Sequence, residues 1–217
     1  MNKEYWEKYY ARKEGIATPS LFAQYVRENV IGKRRDLDQI NLIELGCGNG
    51  RDSIYFAAEG LNVSAIDQCK KEIESLRQRT ADMQNIIFRC ADFSSLEDKF
   101  FNIVYSRFTL HSISKYQQNR LIKWVSRNLV TFGGVFCIET RGQKNELYKK
   151  GILVEGESDA YIFDNHYRRF LNFEELCHSL EDSGFILRYA DEKKGFAPYK
   201  ESNETYIRVI AEKTNKI

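Results

Sequence analysis

Along this 217-residue chain, short apolar runs alternate with longer stretches in which apolar positions recur every three or four residues. The runs at 40–45, 62–66, 86–89, 103–106 and 135–139 are rich in Ile, Val, Leu, Phe and Tyr and read as strands. Between them, 51–59, 70–80 and 115–129 have the amphipathic spacing of helices. Strands and helices alternating at this interval predict a parallel sheet covered on both faces. The last third reads differently. "NFEELCHSLEDSG" predicts a capped helix, with Asn172 at the N-cap, Glu175 three residues on and Gly184 as the stop. Two further runs, 185–190 and 205–212, are joined only by a loop containing Gly195 and Pro198. That loop is too short for a helical crossover, so the two strands are expected to be antiparallel neighbours. No linker, low-complexity tract or repeat interrupts the pattern, and residues 1–217 read as one α/β domain.

Composition narrows the class of partner. Charged residues make up 29% of the chain but nearly cancel, leaving a formal net charge of +2 and no electrostatic preference for a polyanion. No apolar run approaches the ~18 residues of a membrane span, and "MNKEYWEKYYARKEG" lacks the apolar core of a secretory signal. Cys47, Cys69, Cys90, Cys137 and Cys177 are odd in number and contain no C-x-x-C pair. They read as reduced thiols of a cytoplasmic protein, without a disulfide frame or zinc site.

The densest chemistry follows the first strand. "NLIELGCGNGRDSIYF" (41–56) places Gly46, Gly48 and Gly50 between a buried strand and a helix start. This is the carboxyl end of a parallel strand, where open α/β sheets bind ligands. Glycine there accepts positive φ and admits a ligand close to the backbone. Asp67 ends the next strand, 21 positions after Gly46, where a carboxylate can accept bonds from a ribose diol. Asp92 follows the third strand. The spacing is G-x-G-x-G, unlike the dinucleotide fingerprint G-x-G-x-x-G, and no G-x-x-x-x-G-K-[ST] occurs. A glycine turn or a solvated aspartate alone is commonplace; three strand ends in order point to a nucleoside-bearing ligand.

"IELGCGNGRDS", then "AID", "CADF", "FNIVYSRFTLHSI" and "GGVFCIET", closely resembles the class I S-adenosylmethionine-dependent methyltransferases from residue 42 to about 140. The resemblance implies a Rossmann-like, seven-stranded, mostly parallel sheet with helices on both faces and a reversed last strand. It implies S-adenosylmethionine as cofactor and S-adenosylhomocysteine as product. Gly46, Cys47, Gly48 and Gly50 would line the methionine and ribose part. Asp67 would hold the ribose hydroxyls, Gln68 would flank the adenine, and Asp92 would meet its amino group with Phe93 beside it. Ser106 would lie under the cofactor, and Glu44 and Asp52 would orient the loop or the cofactor's ammonium through water. A fainter likeness, in "WEKYY…PSLFAQYV" and "HYRRFLNFEEL…KGFAPYKE", is to bacterial methyltransferases associated with capsule or surface-glycan synthesis.

Three stretches are candidates for the acceptor side. The amino-terminal region, about 1–35, reads as a helical lid in which Tyr5, Trp6, Tyr9 and Tyr10 either face the cofactor or pack on the sheet edge. In "SRFTLHSI" the [DNS]-P-P-[YF] motif of enzymes resembling one another in base N-methylation is missing, which argues against a base acceptor. His111 there reads either as a general base, with an ordinary pKa suited to neutral pH, or as a residue packing the next helix. The insertion at about 141–171 exceeds a normal crossover loop and is expected to fold over the acceptor site. It carries Arg141, His166, Tyr167, Arg168 and Arg169, which read either as a solvated excursion or as an acceptor clamp with Arg168 and His166 or Tyr167 in contact. Arginine forks suit carboxylate or phosphate oxygens. Metal ligation by His166 and His178 lacks a third ligand at a recognised spacing. The leading expectation is O-methylation of a small polar acceptor, anionic or sugar-like, with no membrane and no nucleic-acid partner. Two alternatives stand: an RNA- or protein-modifying methyltransferase, for which "GKRR" (32–35) and "YRR" would need a continuous basic face, and a non-catalytic cofactor-binding subunit.

Overall fold

The computed structural model describes residues 18–92, 96 and 100–214. Tyr5, Trp6, Tyr9, Tyr10 and Phe93 lie outside the described residues. Five parallel strands come first: β1 (Asn41–Leu45), β2 (Asn62–Asp67), β3 (Ile86–Cys90), β4 (Ile103–Arg107) and β5 (Val135–Thr140). A small antiparallel sheet follows, made of β6 (Ile152–Leu153), β7 (Ala160–Phe163) and β8 (His166–Arg169). The chain then returns through β9 (Phe185–Lys193) and β10 (Tyr206–Lys213). The large sheet has the order β3-β2-β1-β4-β5-β10-β9, and β10 runs antiparallel to both its neighbours. This is the seven-stranded, reversed-last-strand fold of the class I methyltransferases.

Period-two alternation divides the sheet residues between two cores. One face carries Ile43, Leu45, Ile66, Val104, Phe136, Ile138 and Val209, closed by Leu121, Ile122 and Val125 of α4 (Lys115–Asn128) and by Leu176 and Leu180 of α5 (Phe173–Asp182). The other carries Leu42, Val63, Ala65, Tyr105, Cys137 and Ile210. It is closed by Phe22, Ala23 and Val26 of α1 (Leu21–Val26), by Phe56 and Ala57 of α2 (Arg51–Ala58), and by Ile73 and Leu76 of α3 (Lys70–Arg79). Each large aliphatic buried this way contributes about 1.5–3 kcal/mol.

The helices begin where the sequence places their caps. Ser114 accepts from the Gln117 amide while the Gln117 side chain accepts from the Ser114 amide, a reciprocal pair that starts α4. Asn172 Oδ1 accepts from the Glu175 amide at 3.0 Å to start α5, and Gly184, at φ 89°, ends its last turn. The amino-terminal region expected as a helical lid contains α1 (Leu21–Val26), whose Phe22 stacks on Tyr105 at 5.0 Å, so this part of it is core. One element was not expected from the pattern. The 141–171 stretch forms the β6–β8 sheet, turned between β7 and β8 by Asp164 and Asn165, both at positive φ. Two consecutive left-handed residues are the requirement of a type I′ hairpin.

Candidate active site

The register aligns the carboxyl ends of β1, β2, β4 and β5: Leu45 lies beside Ile66, and Arg107 beside Glu139. The crevice above these ends is bordered by the 46–50 loop. Gly46, Gly48 and Gly50 all have positive φ, at 76°, 53° and 73°. A Cβ on Gly46 would lie 2.6 Å from Thr109 Oγ1, and one on Gly50 would lie 2.4 Å from Leu76 Cδ2. At these two positions the missing side chain makes room for the protein's own packing. The Gly46 and Cys47 amides donate to the Ile66 carbonyl at 2.8 and 2.9 Å, pinning the loop to β2. Gly50 brings no capping side chain to α2, which leaves the first-turn amides of that helix without a side-chain cap.

Asp67 is central to the loop. Its Oδ2 accepts from the Gly48 amide at 2.9 Å and its Oδ1 from the Cys69 amide at 2.8 Å. Burial raises its pKa, and the Cys69 and Gly48 amides oppose that rise. Each oxygen keeps acceptor capacity beyond these bonds, as a ribose diol requires. Gln68 Nε2 donates to Asp92 Oδ2 at 2.8 Å, which joins the two residues expected at the adenine. Ser106, fully buried at the end of β4, has a hydroxyl with no hydrogen-bond partner. An orphaned hydroxyl under the crevice fits the presence of a bound group. Together, the left-handed loop, the carboxylate at the β2 end and the free Ser106 hydroxyl fit S-adenosylmethionine.

Glu44 and Asp52 lie beneath the loop. Asp52 accepts from the Ser20 amide and hydroxyl, both at 2.7 Å, and from the Tyr105 hydroxyl at 2.9 Å. Glu44 accepts from the Ser53 hydroxyl. Burial, with Asp52 nearby, pushes the Glu44 carboxyl well above its usual range. Asp52 thus ties the start of α2 to Ser20 and to Tyr105 of β4, and Glu44 ties β1 to α2. The Cys47 thiol is also pushed well up by burial, with Asp67 adding to the effect, which makes it a poor nucleophile.

β8, in the 141–171 insertion, packs on the turn after β4. Arg169 is buried and donates through Nε to the Ile113 carbonyl at 2.9 Å, and through Nη2 to the Leu110 carbonyl and Gln118. This ties the insertion to the segment containing His111. His111 is buried, with Nδ1 at 3.3 Å from Thr140 Oγ1. Burial, followed by the charges of Arg141 and its neighbours, depresses its pKa well below the usual histidine value. His166 is also buried, and burial with Arg168 and Arg141 brings it to about 3. Tyr167 donates to Glu157 Oε2 at 2.8 Å, and burial followed by that bond raises its pKa. Arg168 Nη1 donates to the Phe163 carbonyl at 2.8 Å within its own hairpin. Among the described residues no group of three His, Cys, Asp or Glu is placed to hold a metal.

Sequence reasoning passed over the turn itself. Phe108, immediately after β4, is held at φ 59°. A bulky side chain there costs of order 1–3 kcal/mol and marks a functional or over-determined position. Its amide donates to the Glu139 carbonyl at 2.8 Å, and Thr109 Oγ1 donates to the Leu45 carbonyl at 2.5 Å. The Phe108 ring lies 5.0 Å from Tyr206 and 5.6 Å from His111, with the Arg107 guanidinium 4.0 Å above it.

Residues 42–133 match the sequence family described as a methyltransferase domain. Among curated proteins, the ubiquinone biosynthesis O-methyltransferase of Rickettsia felis is 24% identical over 208 residues, covering 89% of this chain and 82% of that protein. That of Rickettsia akari is 26% identical over 188 residues, covering 83% and 72%. Among solved structures, a methyltransferase from Methanosarcina mazei superposes with a TM-score of 0.69 at 19% identity, over 80% of this chain and 92% of that one. The 1,6-didemethyltoxoflavin-N1-methyltransferase of Burkholderia thailandensis, solved with bound 1,6-didemethyltoxoflavin and S-adenosylhomocysteine, gives 0.61 at 18% identity, over 94% and 93%. The solved structures share the fold, and the sequence match covers the 46–50 loop and the ends of β1, β2 and β4. Residues 42–133 thus match a methyltransferase domain, and the chain as a whole shares the fold of S-adenosylmethionine-dependent methyltransferases.

Proposed function

We propose that this protein methylates an oxygen of a small polar acceptor that carries a negative charge. The observation that carries the reading is the crevice at the β1, β2 and β4 ends, where Asp67 braces the Gly48 amide and the Ser106 hydroxyl stands without a partner. S-adenosylmethionine supplies an electrophilic methyl group when bound. In this reading Asp67 takes the ribose diol, the Gln68–Asp92 pair and Phe93 take the adenine, and Gly46, Cys47, Gly48 and Gly50 border the remainder. Glu44 and Asp52 anchor the start of α2, which follows the loop, through Ser53, Ser20 and Tyr105. Oxygen as the acceptor atom is favoured by the O-methyltransferases among the relatives.

The histidines favour an acceptor that is already ionised. With its pKa depressed well below neutrality, His111 is uncharged at pH 7 but has little affinity for a proton. A base that weak contributes little to deprotonating a hydroxyl. An acceptor oxygen that is already ionised needs only alignment, and positioning can supply up to ~7–11 kcal/mol of a barrier. The insertion at 141–171, tied down by Arg169, then serves as the acceptor-side wall, with His166, Tyr167 and Arg168 shaping it. An RNA or protein substrate is less favoured, because the two basic clusters do not merge: Arg34 pairs with Asp36, and Arg169 is buried. The test is calorimetric titration with S-adenosylmethionine and S-adenosylhomocysteine, followed by a mass-spectrometric screen over hydroxylated carboxylic acids, phosphorylated metabolites and nucleotide sugars. Methylation confined to neutral acceptors would refute the anionic reading.

A further inference from the structure

Arg107 closes β4 on the sheet face shared with Tyr105 and Ile103. Its Nε donates to Glu139 Oε1 at 2.9 Å. Glu139 is fully buried, and its other oxygen accepts from Arg208 Nη2 at 2.6 Å and Nε at 3.2 Å. One carboxylate therefore serves two guanidinium groups. The two arginines differ in what remains to them. Arg208 also donates to the Phe196 carbonyl at 3.2 Å and is enclosed by the rings of Phe196, Tyr25 and Phe22, at 4.2, 4.8 and 5.0 Å. Arg107 is held by Nε alone: among the described residues, neither Nη1 nor Nη2 donates to any partner. The nearby Asp52 accepts from Ser20 and Tyr105, and no Arg107 hydrogen bond reaches it.

The orientation of this half-free fork is fixed. The guanidinium lies 4.0 Å over the Phe108 ring, Phe108 lies 5.0 Å from Tyr206, and Arg141 lies 5.1 Å from the Tyr206 ring. Phe108 is itself locked in a left-handed conformation by its amide bond to the Glu139 carbonyl. The stack is rigid, and it stands at the end of β4, where ligands enter an open α/β sheet. A guanidinium with two parallel donors in one plane matches the two oxygens of a carboxylate.

We propose that Arg107 is the specificity-determining residue of the acceptor site and binds the carboxylate of a hydroxylated acid acceptor through Nη1 and Nη2. The inference rests on the methyl-transfer reading above but replaces Arg168, bonded within its own hairpin, as the anion receiver.

The experiment uses a matched pair, 3,4-dihydroxybenzoate and 3,4-dihydroxybenzamide, titrated calorimetrically into the full-length protein saturated with S-adenosylhomocysteine. The two probes share ring and hydroxyls and differ in charge. Wild type is expected to bind the acid at least tenfold more tightly than the amide. Arg107→Gln should abolish that preference while leaving S-adenosylhomocysteine affinity within twofold of wild type. Arg107→Lys, which keeps the charge beside Glu139 but loses the fork, should retain only part of the preference, and it serves as the variant should the glutamine form not fold. A wild-type protein that binds both probes equally or neither, or an Arg107 variant with an intact preference, would overturn the proposal. Failure of the methyl-transfer reading shows itself separately, as absence of S-adenosylhomocysteine binding to wild type.

Discussion

Gly46→Ala isolates the reason for the first glycine of the loop. The residue sits at φ 76°, and the added Cβ would lie 2.6 Å from Thr109 Oγ1. Holding an L-residue in the left-handed region costs roughly 1–2 kcal/mol. Thr109 must also move, and its bond to the Leu45 carbonyl, worth about 0.5–1.5 kcal/mol, is lost. The sum is about 1.5–3.5 kcal/mol, and at about 2–4 °C per kcal/mol for a chain of this size Tm should fall by about 3–14 °C. Urea unfolding gives the same quantity at constant temperature. Thr109→Ala should cost about 1 kcal/mol in the wild-type background and close to nothing when Gly46 is already Ala, because the bond it removes is gone. A Gly46→Ala protein within about 0.5 kcal/mol of wild type, the usual range for a substitution away from any such feature, would refute both the steric and the backbone argument.

Tyr105→Phe removes one of three donors to the buried Asp52 carboxylate and should destabilise the protein by about 1–3 kcal/mol in urea unfolding. Arg169→Leu leaves the Ile113 and Leu110 carbonyls and Gln118 without their donor; limited proteolysis should then cut within 141–171 at protease levels that spare wild type. The acid limb of stability should carry the signature of a buried histidine. His166 titrates near 3 when folded and near 6.5 when unfolded, so its contribution is complete above pH 6.5 and declines as pH falls toward 3, by at most ~1.4 kcal/mol per pH unit. The His166→Gln variant should lose less stability than wild type between pH 7 and pH 5, and parallel curves would contradict the assignment.

The five parallel strands were legible because strands buried on both faces appear as unbroken apolar runs, and because serine, asparagine and glycine mark the helix ends. The β6–β8 sheet was less visible, since its strands are short and two of them are charged or half-exposed. Its one clear signal was Asp164–Asn165, a dipeptide suited to a two-residue hairpin. "YRR" shows why strand geometry matters: alternation turns Arg169 into the core and Arg168 back onto its own hairpin, although the two look alike in sequence. The Arg107–Glu139–Arg208 group could not be read, because its members are 32 and 69 positions apart and meet only through the strand order. The glycine turn between strand and helix is legible in the sequence, but the packing reason for Gly46 and Gly50 lies in their neighbours, Thr109 and Leu76.

The central claim is that the crevice at the β1–β2 ends holds S-adenosylmethionine through Asp67. Isothermal titration of S-adenosylhomocysteine into wild type and into Asp67→Ala tests it most directly, with circular dichroism confirming that both are folded. Removing a charge-assisted pair of bonds, each worth roughly 1.5–3 kcal/mol, should weaken binding by at least about tenfold. Equal affinity in the two folded proteins, or no binding to wild type, would contradict it.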